Sequence, residues 1–187
     1  MKAAHISKTQ INQSQMTEAQ TKELSMKKMI STIHRIAAVA AFLMILSFFT
    51  SSLLVEVLNE FWPELLGGQS AIVAVKAYIA NAVWLLILLM IATGVTGNKM
   101  APKVKGGPIG SKKKRMPIIA LNGLLVLLPA ALYLNYLATA GQFDTWFYSI
   151  QAIELLAGGV NLSLMALNIR DGVQMVRARN KRVESKG

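Results

Sequence analysis

The chain has 187 residues, of which 53% are hydrophobic, contains no cysteine and carries a formal net charge of +11. This composition is too apolar for an ordinary soluble domain, and the lack of cysteine excludes disulfides, thiolate metal sites and cysteine nucleophiles. The basic residues lie in three clusters separated by long apolar stretches, so the charge is typical of the flanks of membrane helices and not of a nucleic-acid groove.

Four apolar stretches are long enough to cross the hydrocarbon layer, which takes about 20 helical residues. They cover approximately residues 33–58, 71–96, 117–139 and 146–169. The sequence therefore predicts an all-α fold, an integral membrane four-helix bundle with up-down-up-down topology in residues 29–172. Residues 1–28 are expected to form a polar cytoplasmic tail, disordered or partly an interfacial helix. Residues 173–187 are expected to form a basic cytoplasmic tail that follows a helix C-cap at Gly172.

The distribution of Lys and Arg predicts the orientation of the bundle. Nineteen of the 20 basic residues lie in residues 1–35, 97–116 and 170–187, that is, before or at the start of span one, between spans two and three, and after span four. The two remaining connections contain no basic residue. The positive-inside rule therefore places both termini in the cytoplasm. The predicted partner is a lipid bilayer with anionic cytoplasmic lipids. The flexible, lysine-rich loop 98–115 either contacts these lipids or only fixes the topology.

His34 stands at the cytoplasmic end of span one, beside Arg35, and the only other histidine is His5 in the polar tail. One interpretation is a single haem b held by His34, with methionine, asparagine or no side chain opposite. The alternative is an interfacial histidine beside the basic cluster. The sequence predicts no other cofactor and no metal site.

Lys76 is the only basic residue outside the three clusters and lies inside span two. It is about 8 Å from the outer end of its span, and Glu154 is about 12 Å from the outer end of span four, at 1.5 Å per residue. These similar depths predict an intramembrane ion pair between the two side chains. The competing interpretation is that the Lys76 ammonium reaches the outer headgroups while Glu154 stays protonated.

Span three contains Asn122 and Pro129. Pro129 lacks a backbone donor, so we expect a kink about four residues earlier, near Leu125. Asn122 lies at a depth where it is expected to meet Asn161 or Asn168 of span four.

Span four contains a polar stripe whose members are separated alternately by three and four residues, a spacing that places them on one helix face. The stripe consists of Gln151, Glu154, Gly158, Asn161, Met165 and Asn168. Since lipid cannot satisfy amides or a carboxyl group, this face should point into the bundle. It is either a polar pocket or proton path, or a set of interhelical hydrogen bonds beside a close-packing glycine.

Three segments carry a family resemblance: IHRIAAVAAFL at 33–43, NGLLVLLPAALYL at 122–134 and FDTWFYSIQAIELLAGGVNLSLMALNIRDG at 143–172. In these segments the chain resembles a group of small, uncharacterised four-helix inner-membrane proteins of bacteria. The resemblance implies a multi-pass protein of a bacterial inner membrane. The layout is also similar to cytochrome b561-type bundles, but only in topology, because the histidines of that family are missing.

The sequence contains no paired carboxylates, nucleophile–base set or phosphate loop, so we expect no enzymatic activity. The leading hypothesis is a non-enzymatic membrane protein. It is either an accessory subunit or a binder of a small lipid-like ligand such as a quinone. Its protein partner is another membrane protein or a second copy of the chain. The alternatives are an electron-transfer cytochrome that uses His34 and a proton-coupled transporter that uses Glu154.

Overall fold

The structure, a computed structural model, describes residues 2–100 and 107–185. These residues form helices and turns and include no strand, which confirms the all-α class for the described part of the chain. Four helical segments are long and apolar enough to cross a membrane. They are Met16–Phe61, Gln69–Met100, Lys114–Thr139 and Thr145–Ala178.

Residues 2–100 and 107–185 form six α-helices and one short π-helix. The α-helices are α1 (Lys2–Phe61), α2 (Pro63–Leu66), α3 (Gln69–Met100), α4 (Gly107–Asn122), α5 (Leu128–Thr139) and α6 (Thr145–Glu184), and the π-helix covers Gly123–Leu127 between α4 and α5.

Helices α1 and α6 extend beyond the predicted spans into the two polar terminal tails. Helix α1 begins at Lys2, within the tail for which disorder or a short interfacial helix was predicted. Helix α6 continues to Glu184, so the predicted C-cap at Gly172 is wrong: this glycine is inside the helix and has no positive φ. Eight of the twelve residues from 173 to 184 are Gln, Met, Arg, Ala, Lys or Glu, which have high helix propensity.

Both ends of the segment 98–115, which was predicted to be a flexible loop, are helical. Residues 98–100 belong to α3 and residues 107–115 to α4, while residues 101–106 lie outside the described residues.

Two glycine turns reverse the chain where the basic residues are missing. Gly67 and Gly68, between α1 and α3, have φ values of 84° and 61°, and Gly141, between α5 and α6, has φ of 69°. Side chains rarely tolerate this left-handed region, so glycine permits these short connections. As a result, α1 packs along α3, and α5 packs along α6.

The π-helix, Gly123–Leu127, includes Leu125, near which the kink caused by Pro129 was predicted. Pro129 cannot donate a backbone hydrogen bond, and its ring crowds the carbonyl group four residues earlier. The Leu128 N–H bonds instead to the Gly123 carbonyl, five residues back. Such a π-bulge redirects a helix. Among the described residues, α3 packs against α5 but makes little contact with α4, which packs against α6.

Candidate functional site

A charged cluster is buried between α1, α3 and α6. It consists of Ser52, Glu56, Lys76, Gln151 and Glu154. The Lys76 Nζ atom donates to the Glu154 Oε2 atom at 2.8 Å and to the Ser52 Oγ atom at 2.7 Å. The Lys76 side chain has no exposed surface. The structure therefore places the two residues of the predicted ion pair in direct contact, and the lysine does not reach the surface of the bundle.

Ser52 connects all members of this cluster except Glu56. Its Oγ atom accepts from Lys76 and, at 3.2 Å, from the Gln151 Nε2 atom, and it donates to the Glu154 Oε2 atom at 3.4 Å. A serine hydroxyl has one donor and two acceptor positions. All three are used, so Ser52 positions the lysine and the carboxylate relative to each other.

Glu56 is the member of the cluster that was not among the predicted site residues. It lies one helical turn after Ser52 on α1 and interacts electrostatically with both Lys76 and Glu154. Its Oε1 atom is buried without a hydrogen-bond partner, as is the Gln151 Oε1 atom. The cluster thus contains two carboxyl groups and one ammonium group, with unused acceptor atoms. The four-residue spacing of Ser52 and Glu56 was the signal available in the sequence.

A second polar contact joins the third span to α6. The Asn122 Nδ2 atom donates to the Asn161 Oδ1 atom and to the Ala157 carbonyl, both at 2.9 Å. Asn161 is fully buried and donates in turn to the Ile119 carbonyl at 3.4 Å. These bonds hold the π-helix region against α6, and Asn161 is the partner that Asn122 meets.

Asn168, the last member of the polar stripe, lies in a more solvent-accessible group. The Arg115 Nη1 atom donates to the Asp171 Oδ2 atom at 2.6 Å and to the Asn168 Oδ1 atom at 3.4 Å. Arg170 also approaches Asp171, at 3.6 Å. The sequence analysis missed the Arg115–Asp171 pair because it treated Arg115 as part of a flexible loop.

His34 is buried where α1 meets the second half of α3. Its Nδ1 atom lies 3.1 Å from both the Thr93 carbonyl oxygen and the Thr96 Oγ1 atom. The Thr96 hydroxyl donates its own proton to the Ala92 carbonyl, so both atoms beside Nδ1 are acceptors. This assigns the ring proton to Nδ1. Gly97 leaves room for the ring, because a Cβ atom there would lie 3.1 Å from His34 Cε1.

A cavity of about 920 Å³ runs through the bundle from His34 to Ser52 and Glu154. Eighteen residues of α1 separate His34 from Ser52, which corresponds to about 27 Å along the helix. Most of its lining is aliphatic side chains and methionines. Within the charged cluster, only Ser52 and Glu154 line the cavity, so the Lys76 ammonium is enclosed behind them.

The cavity opens sideways between α3 and the segment formed by α4 and the π-helix. Ile91 of α3 and Leu124 of the π-helix both line the cavity, and both are more than half exposed. Gly94, which also lines it, has no atom within 4 Å of a Cβ position. On this side α4 makes few contacts with α3, although the Met116 and Met90 side chains approach Gly97 and Gly123.

Comparison of the chain with protein-family models, curated proteins and solved structures finds no match. The arrangement of the site is therefore the basis for a functional assignment. Among the described residues, no three His, Asp or Glu side chains converge as ligands of a metal ion. The cavity is long and mostly apolar, with Ser52 and Glu154 at one end, His34 at the other and Asn161 on its wall between them.

Proposed function

We propose that this protein spans a bacterial inner membrane four times, in up-down-up-down topology with both termini in the cytoplasm. The support is the distribution of basic residues, together with four helices of sufficient length and apolarity. The two glycine turns, at residues 67–68 and 141, would then face the periplasm.

The chain has no cysteine, so single cysteines can report this orientation. Gln142→Cys and Glu184→Cys place a thiol at exposed positions in a glycine turn and near the C-terminus. In intact cells, a membrane-impermeant maleimide should label the first variant and leave the second unlabelled until the membrane is opened. The reverse pattern contradicts the proposed orientation.

We propose further that the protein is non-enzymatic and binds a small lipid-like ligand of the quinone type in its central cavity. The observation that carries this proposal is an apolar cavity of about 920 Å³ with a lateral opening toward the lipid side of the helices. Cavities of about 300–1,000 Å³ with few polar groups are typical of small-molecule sites. A hydrophobic ligand could enter through the opening without crossing water.

The volume and length of the cavity limit the shape of its ligand. The cavity extends over about 27 Å between the levels of His34 and Ser52 on α1. A ligand with one extended apolar chain suits this elongated shape. Glu154 and His34 provide polar groups at opposite ends of the cavity.

A matched pair of glycine variants tests the ligand proposal. Gly94→Leu fills open space inside the cavity, whereas Gly172→Leu adds the same side chain at a helical glycine outside it; neither Cβ has an atom within 4 Å. Mass spectrometry of protein purified in mild detergent should find a single-chain amphiphile with wild type and Gly172→Leu, and little with Gly94→Leu. Equal occupancy in all three proteins would reject the cavity as the binding site.

A single-haem cytochrome is the second proposal, because His34 lines the same cavity and its proton lies on Nδ1. Neutral histidine is a common axial ligand of haem iron. Haem b would supply one-electron chemistry at this end of the bundle. An absorption spectrum of the purified protein decides the matter, since a missing Soret band contradicts haem binding.

A further inference from the structure

We infer that the ligand carries a hydroxyl donor on its headgroup, that this hydroxyl donates to Glu154, and that the site prefers a quinol to the corresponding quinone. This inference rests on the proposed function, the binding of a quinone-type amphiphile in the cavity. It specifies the chemical form of the ligand headgroup and which end of the cavity the headgroup occupies.

The first observation concerns the two oxygen atoms of Glu154. All its hydrogen bonds to the described residues, from Lys76 and Ser52, use the Oε2 atom. The Oε1 atom accepts no hydrogen bond from them and is not among the fully enclosed unpartnered atoms. Since Glu154 lines the cavity and its side chain keeps 10% of its surface exposed, Oε1 is an available acceptor at the cavity wall.

The second observation concerns the charge that a headgroup would meet. Lys76 is the only cation of the charged cluster and does not line the cavity. Glu56 and Glu154 together provide two carboxyl groups for this one ammonium, so the cluster has no surplus positive charge. An anionic headgroup, such as a carboxylate or phosphate, would therefore meet the Glu154 carboxylate, while the one ammonium of the cluster is enclosed and already bonded to that carboxylate.

Ser52 does not alter this preference. Its hydroxyl proton points to the Glu154 Oε2 atom, and its lone pairs are occupied by Lys76 and Gln151. It therefore has no proton left for a ligand carbonyl. A quinone, whose ring oxygens only accept, finds no donor at this wall, whereas a quinol hydroxyl can donate to Glu154 Oε1.

The third observation concerns the apolar tail. From Glu154 the cavity continues along aliphatic side chains to the opening at Ile91 and Leu124. A tail that follows this path ends next to lipid, so its end needs no enclosure by protein. The headgroup thus lies at the closed, charged end and the tail at the open end.

Binding of a decyl-substituted benzoquinol and the matching benzoquinone tests this inference, because the two differ only in the headgroup. The protein is reconstituted in zwitterionic nanodiscs, the quinol is kept reduced under anaerobic conditions, and empty nanodiscs measure partition into lipid. A charge-assisted hydrogen bond should make quinol binding about tenfold tighter or more. Equal affinities would overturn the headgroup inference while leaving the cavity proposal intact, and binding of neither compound would overturn both.

A charge-balanced variant locates the contact. Glu154→Gln alone leaves Lys76 buried without a carboxylate partner, so Glu154→Gln is combined with Lys76→Met. The glutamine amide can donate as well as accept, and the preference for quinol should fall to within about threefold. Retained binding of the quinone shows that the cavity has folded. A full preference for quinol in this double variant would show that the hydroxyl does not bind at Glu154.

Discussion

The two ends of the cavity differ in how the helices meet. At the charged cluster, α3 packs against α1 and α5, and a network centred on Ser52 joins Lys76, Gln151 and Glu154. At the other end, α3 and α4 are separated and His34 faces a cavity with a lateral opening. The bundle thus combines a closed end that holds a buried charged cluster with a more open end near His34.

This difference has a thermodynamic consequence. Polar groups at the closed end are shielded from solvent and salt, so removal of one partner leaves another buried and unpaired. Open volume at the other end provides few contacts to lose, and therefore substitutions there should affect ligand binding more than folding.

Breaking the Lys76–Glu154 pair should have the largest effect on stability. Lys76→Met leaves Glu154 and Glu56 without a cation and should lower the free energy of unfolding by about 3–5 kcal/mol. Reversible unfolding in mixed micelles measures this change. The double variant Lys76→Met/Glu154→Leu should recover more than about 1 kcal/mol relative to the sum of the single losses. Additive effects would contradict a coupled pair.

Asn122→Ala tests the contact that holds the π-helix region to α6. It removes the bonds to Asn161 and to the Ala157 carbonyl, and should cost about 1–2 kcal/mol. Asn81→Ala is the matched control, because exposed Asn81 bonds only to the Ala77 carbonyl of its own helix. The control should change stability by less than about 0.5 kcal/mol. Similar losses in both variants would show that the Asn122 contact between helices contributes nothing specific.

Pro129→Ala should close the open end in part. It restores a backbone donor four residues after Leu125, so the third span can straighten and bring α4 toward α3. The distance between spin labels on Ile91→Cys and Leu124→Cys should shorten, and ligand affinity should fall about three- to tenfold. Pro63→Ala, at the start of α2, is the control and should change neither quantity. An unchanged label distance in Pro129→Ala would show that Pro129 does not cause the opening.

The Arg115–Asp171 pair should show the smallest effect. Its arginine side chain is 22% exposed and its aspartate side chain 9% exposed, so water and ions reach the pair from the arginine side. Asp171→Asn should cost about 0.5 kcal/mol, and less in 1 M salt, where the Debye length is about 3 Å. The coupling of Lys76 with Glu154 should hardly change over the same salt range. Equal salt dependence of the Arg115–Asp171 and Lys76–Glu154 pairs would contradict the claim that only the second pair is shielded from solvent.

The sequence predicted those parts of the fold that depend on apolar length and helical period. It predicted four membrane-length helices, because an uninterrupted apolar stretch of this length has few other structures available. The stripe on span four predicted the buried positions of Gln151 and Asn161, since lipid cannot satisfy their amides.

Other features could not be obtained from periodicity. Helix ends depend on small differences in propensity and capping, which is why α6 passes through Gly172. Glu56 lies near the end of a span, where a carboxyl group can face either headgroups or the bundle, and only the rotation of α1 decides between them. The cavity depends on the direction of α4 after the π-helix, and a proline predicts a bend without its direction.

Photo-crosslinking of a quinol probe tests the central claim, that the cavity holds an amphiphile with its headgroup at Glu154 and its tail at the opening. The probe carries a diazirine at the end of its alkyl tail, and labelled peptides are identified by mass spectrometry with and without excess unlabelled quinol. We predict competed labelling around Gly94, Met116 and Leu124, which line the open end of the cavity. Labelling confined to outward-facing residues such as Leu88 and Leu156, or labelling that excess quinol does not reduce, would contradict the account.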